Sequence, residues 1–253
     1  MKAGFLQWDL AWENPALNRE YISRFLSHNS VPDLLILPEM FSTGFSMNAA
    51  EQAESMSGHT IQFLKENAAT YNTVIAGSLI IVENNSYFNR FIFAYPDGRI
   101  MHYDKHHLFT LSTEDKTYTS GKLIPQLSIL DWKVCPQICY DLRFPEWVRS
   151  ALPFDLLIYT ASWPQKRSEA WSALLKARAI ENQCYVIGVN RIGQDGNGLV
   201  YNGQSTIIQF DGEVLLQAGS NEGYFEIIID KSAQNEYRKS LPFLNDKDLI
   251  TIG

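Results

Sequence analysis

Short apolar runs set between helical patterns constrain the fold of this chain more than any other feature. Leu34–Leu37 is such a run, and a strand without polar alternation has to be covered on both faces. Asn14 is a helix N-cap signal, followed by proline and by apolar residues at helical spacing. A further helix is predicted over about 168–182, between predicted strands at 155–160 and 184–189. These units predict buried sheets with helices packed outside them.

Hairpin signals lie between the strand–helix units. Turn sequences at 84–85 and 96–98 predict antiparallel strands on either side of each turn. No linker rich in Gly, Ser or Pro and no repeat of fixed period divides the chain, so one domain over 1–253 is predicted. Its segment 231–253 is expected to form a short helix and a tail. The mixture predicts an α/β fold in which two mixed sheets pack face to face, with helices outside.

Composition and charge narrow the class of partner. Lys+Arg 21 against Asp+Glu 28 gives a formal net charge of −7, which disfavours nucleic acid, whose binding needs clustered cations. No stretch approaches the ~18 apolar residues that span a bilayer, so no membrane partner is expected. Three cysteines leave at least one unpaired and no targeting signal is evident, which predicts a cytoplasmic location. Of these, Cys135 and Cys184 are predicted to be small buried hydrophobes.

Three reactive residues each lie just past the end of a predicted strand, which is where α/β folds gather their sites. They are Glu39, Lys105 and Cys139. A thiolate can attack a carbonyl, a carboxylate can carry the proton, and an ammonium can stabilise charge on the oxygen. The set therefore suits acyl transfer. Taken singly, each residue would more often be surface charge or core filler.

Patterns for other chemistries are incomplete. His102, His106 and His107 surround a strand end without the H-E-x-x-H spacing, so no metal site is predicted. The glycines within 193–198 are predicted to lie in a polar loop, because no G-K-[ST] or strand-linked G-x-G-x-x-G accompanies them. The absence of G-x-S-x-G argues against a serine hydrolase. We therefore expect no cofactor.

Four ordered segments that include the reactive residues resemble the signature of a known family. The segments are Leu37–Phe41, Tyr103–Phe109, Ile138–Glu146 and Ala177–Gln183. They are similar to the nitrilase, or carbon–nitrogen hydrolase, superfamily, and the resemblance covers nearly the whole chain. Ser162–Pro164 and Asp195–Gly198 further resemble its bacterial ω-amidase branch, which hydrolyses the side amide of 2-oxoglutaramate and 2-oxosuccinamate.

The resemblance implies a four-layer α-β-β-α sandwich, a homodimer and a role for each strand-end residue. Cys139 would be the nucleophile and Glu39 the general base, while Lys105 and the backbone N–H of Tyr140 would stabilise the oxyanion. The amide would be cleaved through an acyl-thioester on the cysteine. A free thiol has a pKa near ~8.5, so Lys105 and Glu39 are expected to ease its proton loss at neutral pH.

Two further positions near these residues bear on the comparison with the family. A second glutamate often follows the lysine segment in the family, and by position it is Glu114, although Asp115 is adjacent. Pro136 stands where the family commonly has a small residue. Proline removes an N–H donor, so it is expected only where that position has no ladder partner.

Substrate recognition is predicted from residues close to the nucleophile. Arg143 is expected to clamp the carboxylate of a 2-oxo acid, because a guanidinium can make two parallel bonds to it. The alternative is a structural pair with Asp141 or Glu146. Phe45 and Trp163 are candidates to line the pocket, or else ordinary core aromatics.

The function predicted from these residues is an amidase that converts the terminal amide of a small 2-oxo acid into a carboxylate and ammonia. Two alternatives share the chemistry: a deaminated-glutathione amidase and an N-carbamoyl hydrolase. A third is a catalytically inactive assembly module on the same fold. It is disfavoured because a scaffold has no need of the three reactive residues together.

Overall fold

The protein is described by a computed structural model over residues 1–151 and 153–250. Its strands are β1 (Lys2–Gln7), β2 (Leu34–Ile36), β3 (Val74–Glu83), β4 (Ser86–Ala94), β5 (Ile100–Asp104), β6 (Leu127–Ile129), β7 (Trp132–Ile138), β8 (Leu156–Ala161), β9 (Tyr185–Asn190), β10 (Ile192–Gln194), β11 (Val200–Asn202), β12 (Thr206–Ile208), β13 (Val214–Gln217) and β14 (Gly223–Ile228). Its helices are α1 (Pro15–His28), α2 (Ala49–Gln52), α3 (His59–Tyr71), α4 (Glu114–Thr117), α5 (Pro145–Ser150), α6 (Ser168–Asn182) and α7 (Lys231–Ser240). In the described chain, no helix is both long and apolar enough to cross a bilayer.

Two six-stranded sheets form the centre of the molecule. The first has the strand order β14-β1-β2-β3-β4-β5 and the second the order β13-β12-β9-β8-β7-β6. Strands β1, β2 and β3 run parallel in the first sheet, as do β7, β8 and β9 in the second. The other neighbours pair antiparallel, β3–β4 and β4–β5 among them. Each sheet therefore joins a parallel centre to antiparallel edges, as the mixture of strand–helix units and hairpins predicts.

Strand β2 shows why its sequence lacks polar alternation. Leu34 and Ile36 face an apolar core shared by the two sheets, where Ile138 and Ile158 lie opposite. Leu35 faces the other way, into the core beneath α1 and α3. All are completely buried, and full burial of such a side chain contributes about 1.5–3 kcal/mol relative to an exposed one.

Helices cover the outer face of each sheet. On the first sheet, Ile22 of α1 and Leu64 of α3 pack over strands β1 to β3. On the second, Trp171 and Leu175 of α6 pack over Leu157 and its neighbours. The predicted α/β fold with four layers, α-β-β-α, is confirmed.

Local sequence signals set the helix ends. The side chain of Asn14 accepts a hydrogen bond from the Leu17 N–H at 3.1 Å, which caps α1. Helix α6 spans the predicted residues 168–182 and ends where Gln183 adopts a left-handed conformation with φ 46°. In the predicted C-terminal helix and tail, α7 forms the helix, and residues 251–253 lie outside the described part of the chain.

Of the segment predicted as a polar loop at 193–198, residues 195–198 do form a loop, but Gly193 and Gln194 belong to strand β10 of a hairpin, a correction to the sequence analysis. Strands β10 and β11 pair antiparallel, with Ile192 opposite Asn202. Gly193 has φ 84°, and a Cβ there would stand 2.1 Å from the Asp9 side chain. The hairpin thus depends on a close approach to a residue remote in sequence, which local periodicity does not reveal.

The main-chain nitrogen of Pro136 faces away from β8. The N–H and C=O of Lys133, three residues earlier, both face Asp155 at the start of β8, and main-chain groups alternate in direction along a strand. The N–H of Ile138, which also faces away from β8, donates to the side chain of Asp141 at 3.0 Å. Strand β6 pairs with β7 only as far as Val134. Proline at this position therefore removes no hydrogen bond from the sheet ladder.

The ends of strands from both sheets meet at one edge of the sandwich. The Thr160 hydroxyl of β8 donates to the Leu37 carbonyl, just beyond β2, at 2.7 Å. The Ser162 N–H, after β8, donates to Glu39 Oε2 at 2.8 Å. The Lys105 N–H, after β5, donates to the Asn89 carbonyl of β4 at 3.0 Å. These bonds bring residues from distant parts of the chain to the same place.

Candidate active site

A cavity of about 750 Å³ opens where the strand ends meet. Lys105, Cys139 and Ser162 contribute to its lining, and Phe45 and Trp163 form part of its wall. Tyr140 and Arg143 also line the cavity, whereas Glu39 and Glu114 lie behind Lys105 and are not part of the lining.

Lys105 joins two carboxylates in the interior. Its Nζ donates to Glu39 Oε1 at 2.9 Å and to the two oxygens of Glu114 at 3.0 and 2.9 Å. The three side chains are 1%, 0% and 0% exposed. The neighbouring Asp115 is exposed. Of the two carboxylates that the sequence left open, Glu114 is the one at the lysine.

The charges of this group are set by burial and by each other. Burial alone would lower the pKa of Lys105, but the carboxylates of Glu114 and Glu39 outweigh it and raise the pKa above its ordinary value. Burial raises the pKa of Glu114, with Lys105 opposing the shift and Glu39 adding to it. Lys105 is therefore held as a cation.

Asn89 completes the coordination of both carboxylates, and the sequence analysis missed it. Its Nδ2 donates to Glu39 Oε1 at 2.8 Å and to Glu114 Oε1 at 3.2 Å. With Ser162 N–H on Oε2, both oxygens of Glu39 accept hydrogen bonds from neutral or cationic donors. The available signal was a buried amide in the middle of β4, since asparagine is depleted in strands.

Cys139 lies at the turn between β7 and a short 3₁₀ turn, in a strained conformation. Its φ is 45°, a left-handed value that costs a non-glycine residue on the order of 1–3 kcal/mol. The strain directs the partly exposed side chain toward the cavity, where Sγ lies 4.0 Å from the Ser162 carbonyl oxygen. The Cys139 thiol and the Glu39 carboxylate thus both contact the main chain of Ser162, the thiol its carbonyl and the carboxylate its N–H.

The thiol does not lose its proton easily, contrary to the expectation from the sequence. Burial raises the pKa of the Cys139 thiol well above its ordinary value, and the Glu39 carboxylate raises it further. Lys105 lowers it, but less. Lys105 is paired with two carboxylates, whose negative charges offset the stabilisation that its positive charge would give a thiolate. At neutral pH the proton stays on sulfur.

Asp141 holds the loop of Cys139 against the segment that carries Lys105. The buried carboxylate accepts hydrogen bonds from the Tyr103 hydroxyl at 2.9 Å, from His107 Nδ1 at 2.8 Å and from the Ile138 N–H at 3.0 Å. These donors come from the ends of β5 and β7, which belong to different sheets. The carboxylate therefore fixes the two segments relative to each other.

Arg143 lines the cavity and contacts Trp163, not Asp141 or Glu146, the partners considered for a structural role. Its Cζ is 4.9 Å from the centroid of the Trp163 ring. Over residues 1–151 and 153–250, no carboxylate lies within ion-pair distance of its guanidinium, and Asp141 is occupied by other donors. Trp163 is buried and Phe45 is half-buried, with Lys105 Nζ 5.2 Å from the Phe45 ring.

Comparisons with known proteins agree over nearly the whole chain. A family model described as carbon-nitrogen hydrolase matches residues 7–239. The omega-amidase YafV of Yersinia enterocolitica is 38% identical over 249 residues, which cover 98% of this chain and 97% of that protein. The 2-oxoglutaramate amidase of Bacillus subtilis is 34% identical over 252 residues, covering 96% and 97%.

A solved structure shares both the sequence and the fold. XC1258 from Xanthomonas campestris, described as a CN-hydrolase superfamily protein with an arsenic adduct in the active site, is 38% identical. It superposes with a TM-score of 0.96 and covers 100% of this chain and 99% of its own. The likeness therefore extends over both sheets and the helices outside them.

The raised pKa of Cys139 predicts a specific titration. The ultraviolet absorbance of the thiolate, taken as the difference between the wild-type protein and Cys139→Ser, should stay at zero through neutral pH and rise only at alkaline pH. The contribution of Cys135, whose pKa burial raises to about 12, cancels in the difference. A step at about pH 4–7.5, where activated thiolates ionise, would contradict the neutral thiol.

Proposed function

Because this chain belongs to the carbon–nitrogen hydrolase family and is an amide-hydrolysing enzyme, we propose that it acts on the terminal amide of a small 2-oxo acid, 2-oxoglutaramate or 2-oxosuccinamate. The products are the dicarboxylate and ammonia. The observation that carries the proposal is the buried Lys105 bridging Glu39 and Glu114 beside the Cys139 thiol. The cavity next to them also presents Arg143, which has no carboxylate partner in the described residues.

The first half of the reaction forms a thioester. Cys139 Sγ attacks the amide carbon while Glu39 accepts the thiol proton, so no free thiolate has to form beforehand. Lys105 Nζ has three N–H groups; one serves Glu39 Oε1 and one is shared by the oxygens of Glu114. The third is left for the oxyanion, together with the N–H of Tyr140, which has no acceptor within its own turn.

The second half regenerates the thiol. Glu39 delivers its proton to the departing nitrogen, and ammonia leaves as the tetrahedral intermediate collapses to an acyl-thioester. Glu39 then accepts a proton from water, which attacks the thioester carbonyl at the same oxyanion site. Collapse returns the proton to sulfur and releases the acid. Glu114 keeps Lys105 in position through both halves.

The acid end of the substrate is bound by Arg143. A permanent carboxylate a few bonds from the reacting amide distinguishes 2-oxo acid amides from simple amides. The guanidinium lies on the Trp163 ring at the cavity wall and has no carboxylate partner in the described residues, so it is free to form two parallel bonds to the substrate. The names of the relatives quoted above support this substrate class.

We further propose a homodimer in the cytoplasm. The resemblance to the family supports the dimer. The three cysteines are free thiols, two of them buried, which is consistent with a reducing compartment.

The substrate assignment is tested with a panel. The wild-type protein should hydrolyse 2-oxoglutaramate with a higher kcat/KM than deaminated glutathione, an N-carbamoyl amino acid or the neutral pentanamide, each followed by formation of its product. The cavity offers a cation for the carboxylate that pentanamide lacks, and the names of the relatives favour 2-oxoglutaramate over the other two. A higher kcat/KM for another member would contradict the assignment. Activity on none of them would favour the inactive assembly module.

The carboxylate clamp is tested by Arg143→Lys, which keeps the charge and removes the planar fork. Hydrogen bonds to charged groups contribute about 1.5–3 kcal/mol, so kcat/KM for 2-oxoglutaramate should fall about tenfold or more. Hydrolysis of pentanamide should hardly change. Arg99→Lys, on the exposed β4–β5 hairpin, is the matched control and should alter neither. Equal losses on both substrates in Arg143→Lys would show that the arginine braces the loop instead.

A further inference from the structure

A second arginine faces the same cavity. Arg167 lies just before α6 and lines the cavity, with its Cζ 5.3 Å from the centroid of the Phe109 ring. The Trp163 Nε1–H donates to the main-chain carbonyl of Arg167 at 2.8 Å. Arg143 stacks on that same indole. Each guanidinium thus lies on an aromatic ring that lines the same cavity.

No structural role accounts for the Arg167 side chain. The side chain is exposed, and among residues 1–151 and 153–250 its guanidinium has neither a carboxylate within ion-pair distance nor a hydrogen-bond acceptor. The cavity does contain the carboxylates of Glu13 and Asp195, but these accept hydrogen bonds from Ser46 and Tyr201.

The position of Arg167 is also unfavourable for the helix. It is the N-cap residue of α6 and provides no side-chain cap. A cation at a helix N-terminus opposes the helix dipole, which favours anions there. An exposed arginine that has no acidic partner among the described residues, opposes a helix dipole and lines the same cavity as Arg143 is suited to bind an anionic ligand.

We propose that Arg167 and Arg143 together form an acid subsite that binds the carboxylate and the adjacent 2-oxo oxygen of the substrate. This inference rests on the proposed function and deepens it. One guanidinium forms two parallel bonds to a carboxylate, and the 2-oxo group adds a further acceptor next to it. A second guanidinium supplies the donors for that acceptor. Arg167 is then a specificity-determining residue that favours 2-oxo acid amides over amides with a carboxylate alone.

Three amides of equal chain length separate the contributions: 2-oxoglutaramate, glutaramate, which lacks the 2-oxo group, and pentanamide, which lacks both groups. In Arg167→Gln, kcat/KM should fall about tenfold or more for 2-oxoglutaramate, less for glutaramate and hardly for pentanamide. The fold should survive, because the bond from Trp163 is to the main chain of Arg167. Lys166→Gln removes the same charge from the adjacent residue, which is also exposed but does not line the cavity, and should change none of the values.

Similar losses on all three amides in Arg167→Gln, or the same losses in Lys166→Gln, would overturn the proposal. The first would indicate a structural effect and the second a general attraction of anions.

A binding measurement separates this proposal from the proposed function. In the Cys139→Ala background, which cannot form a thioester, 2-oxoglutarate should bind, and Arg167→Gln should weaken its Kd about tenfold while Lys166→Gln leaves it unchanged. Failure to hydrolyse 2-oxoglutaramate, with this pattern of binding intact, would reject the proposed reaction and retain the subsite. Absence of binding to Cys139→Ala, or an unchanged Kd in Arg167→Gln, would reject the subsite.

Discussion

The buried ion group of Lys105 with Glu39 and Glu114 is the interaction on which the rest of the site depends. Removing one partner from a buried pair typically costs 3–5 kcal/mol, because the remaining charge is left without compensation. Here one cation faces two carboxylates, and the amide of Asn89 and the Ser162 N–H supply the additional donors that make the arrangement tolerable. These groups come from both sheets, so the site exists only when the sandwich has assembled.

The same ion group bears on where the proton of the Cys139 thiol resides. Burial is the main cause that raises the pKa of the Cys139 thiol, and the Glu39 carboxylate adds to it. Lys105, which is paired with two carboxylates, does not offset these effects. The thiol therefore keeps its proton until substrate binds. In the proposed reaction the proton moves to Glu39 during attack, and Lys105 retains one N–H for the oxyanion. A charged thiolate never has to be stabilised in a site that already contains two acidic groups.

The fold was largely predictable from the sequence because its signals are local: apolar runs, a capped helix and turn residues. The sequence also indicated the reactive strand-end residues that the fold brings together, since the strand ends of α/β folds meet at one edge. Asn89 and Arg167 were missed for a different reason. Neither belongs to a motif, and their importance lies in contacts with residues far along the chain. The hairpin at Gly193 was missed likewise, because it depends on Asp9. The raised pKa of the nucleophile follows from burial and the competition for one cation, which no spacing encodes.

The central claim is that Cys139 carries the acyl group, and the most direct measurement is the mass of the protein after rapid acid quenching of a reaction with 2-oxoglutaramate. The account predicts an adduct equal to the substrate less ammonia, located on the peptide that contains Cys139 and retained in Cys135→Ala. In Cys139→Ala, both the adduct and the release of ammonia should be lost. An adduct on another residue, or ammonia release by Cys139→Ala at the wild-type rate, would contradict the account.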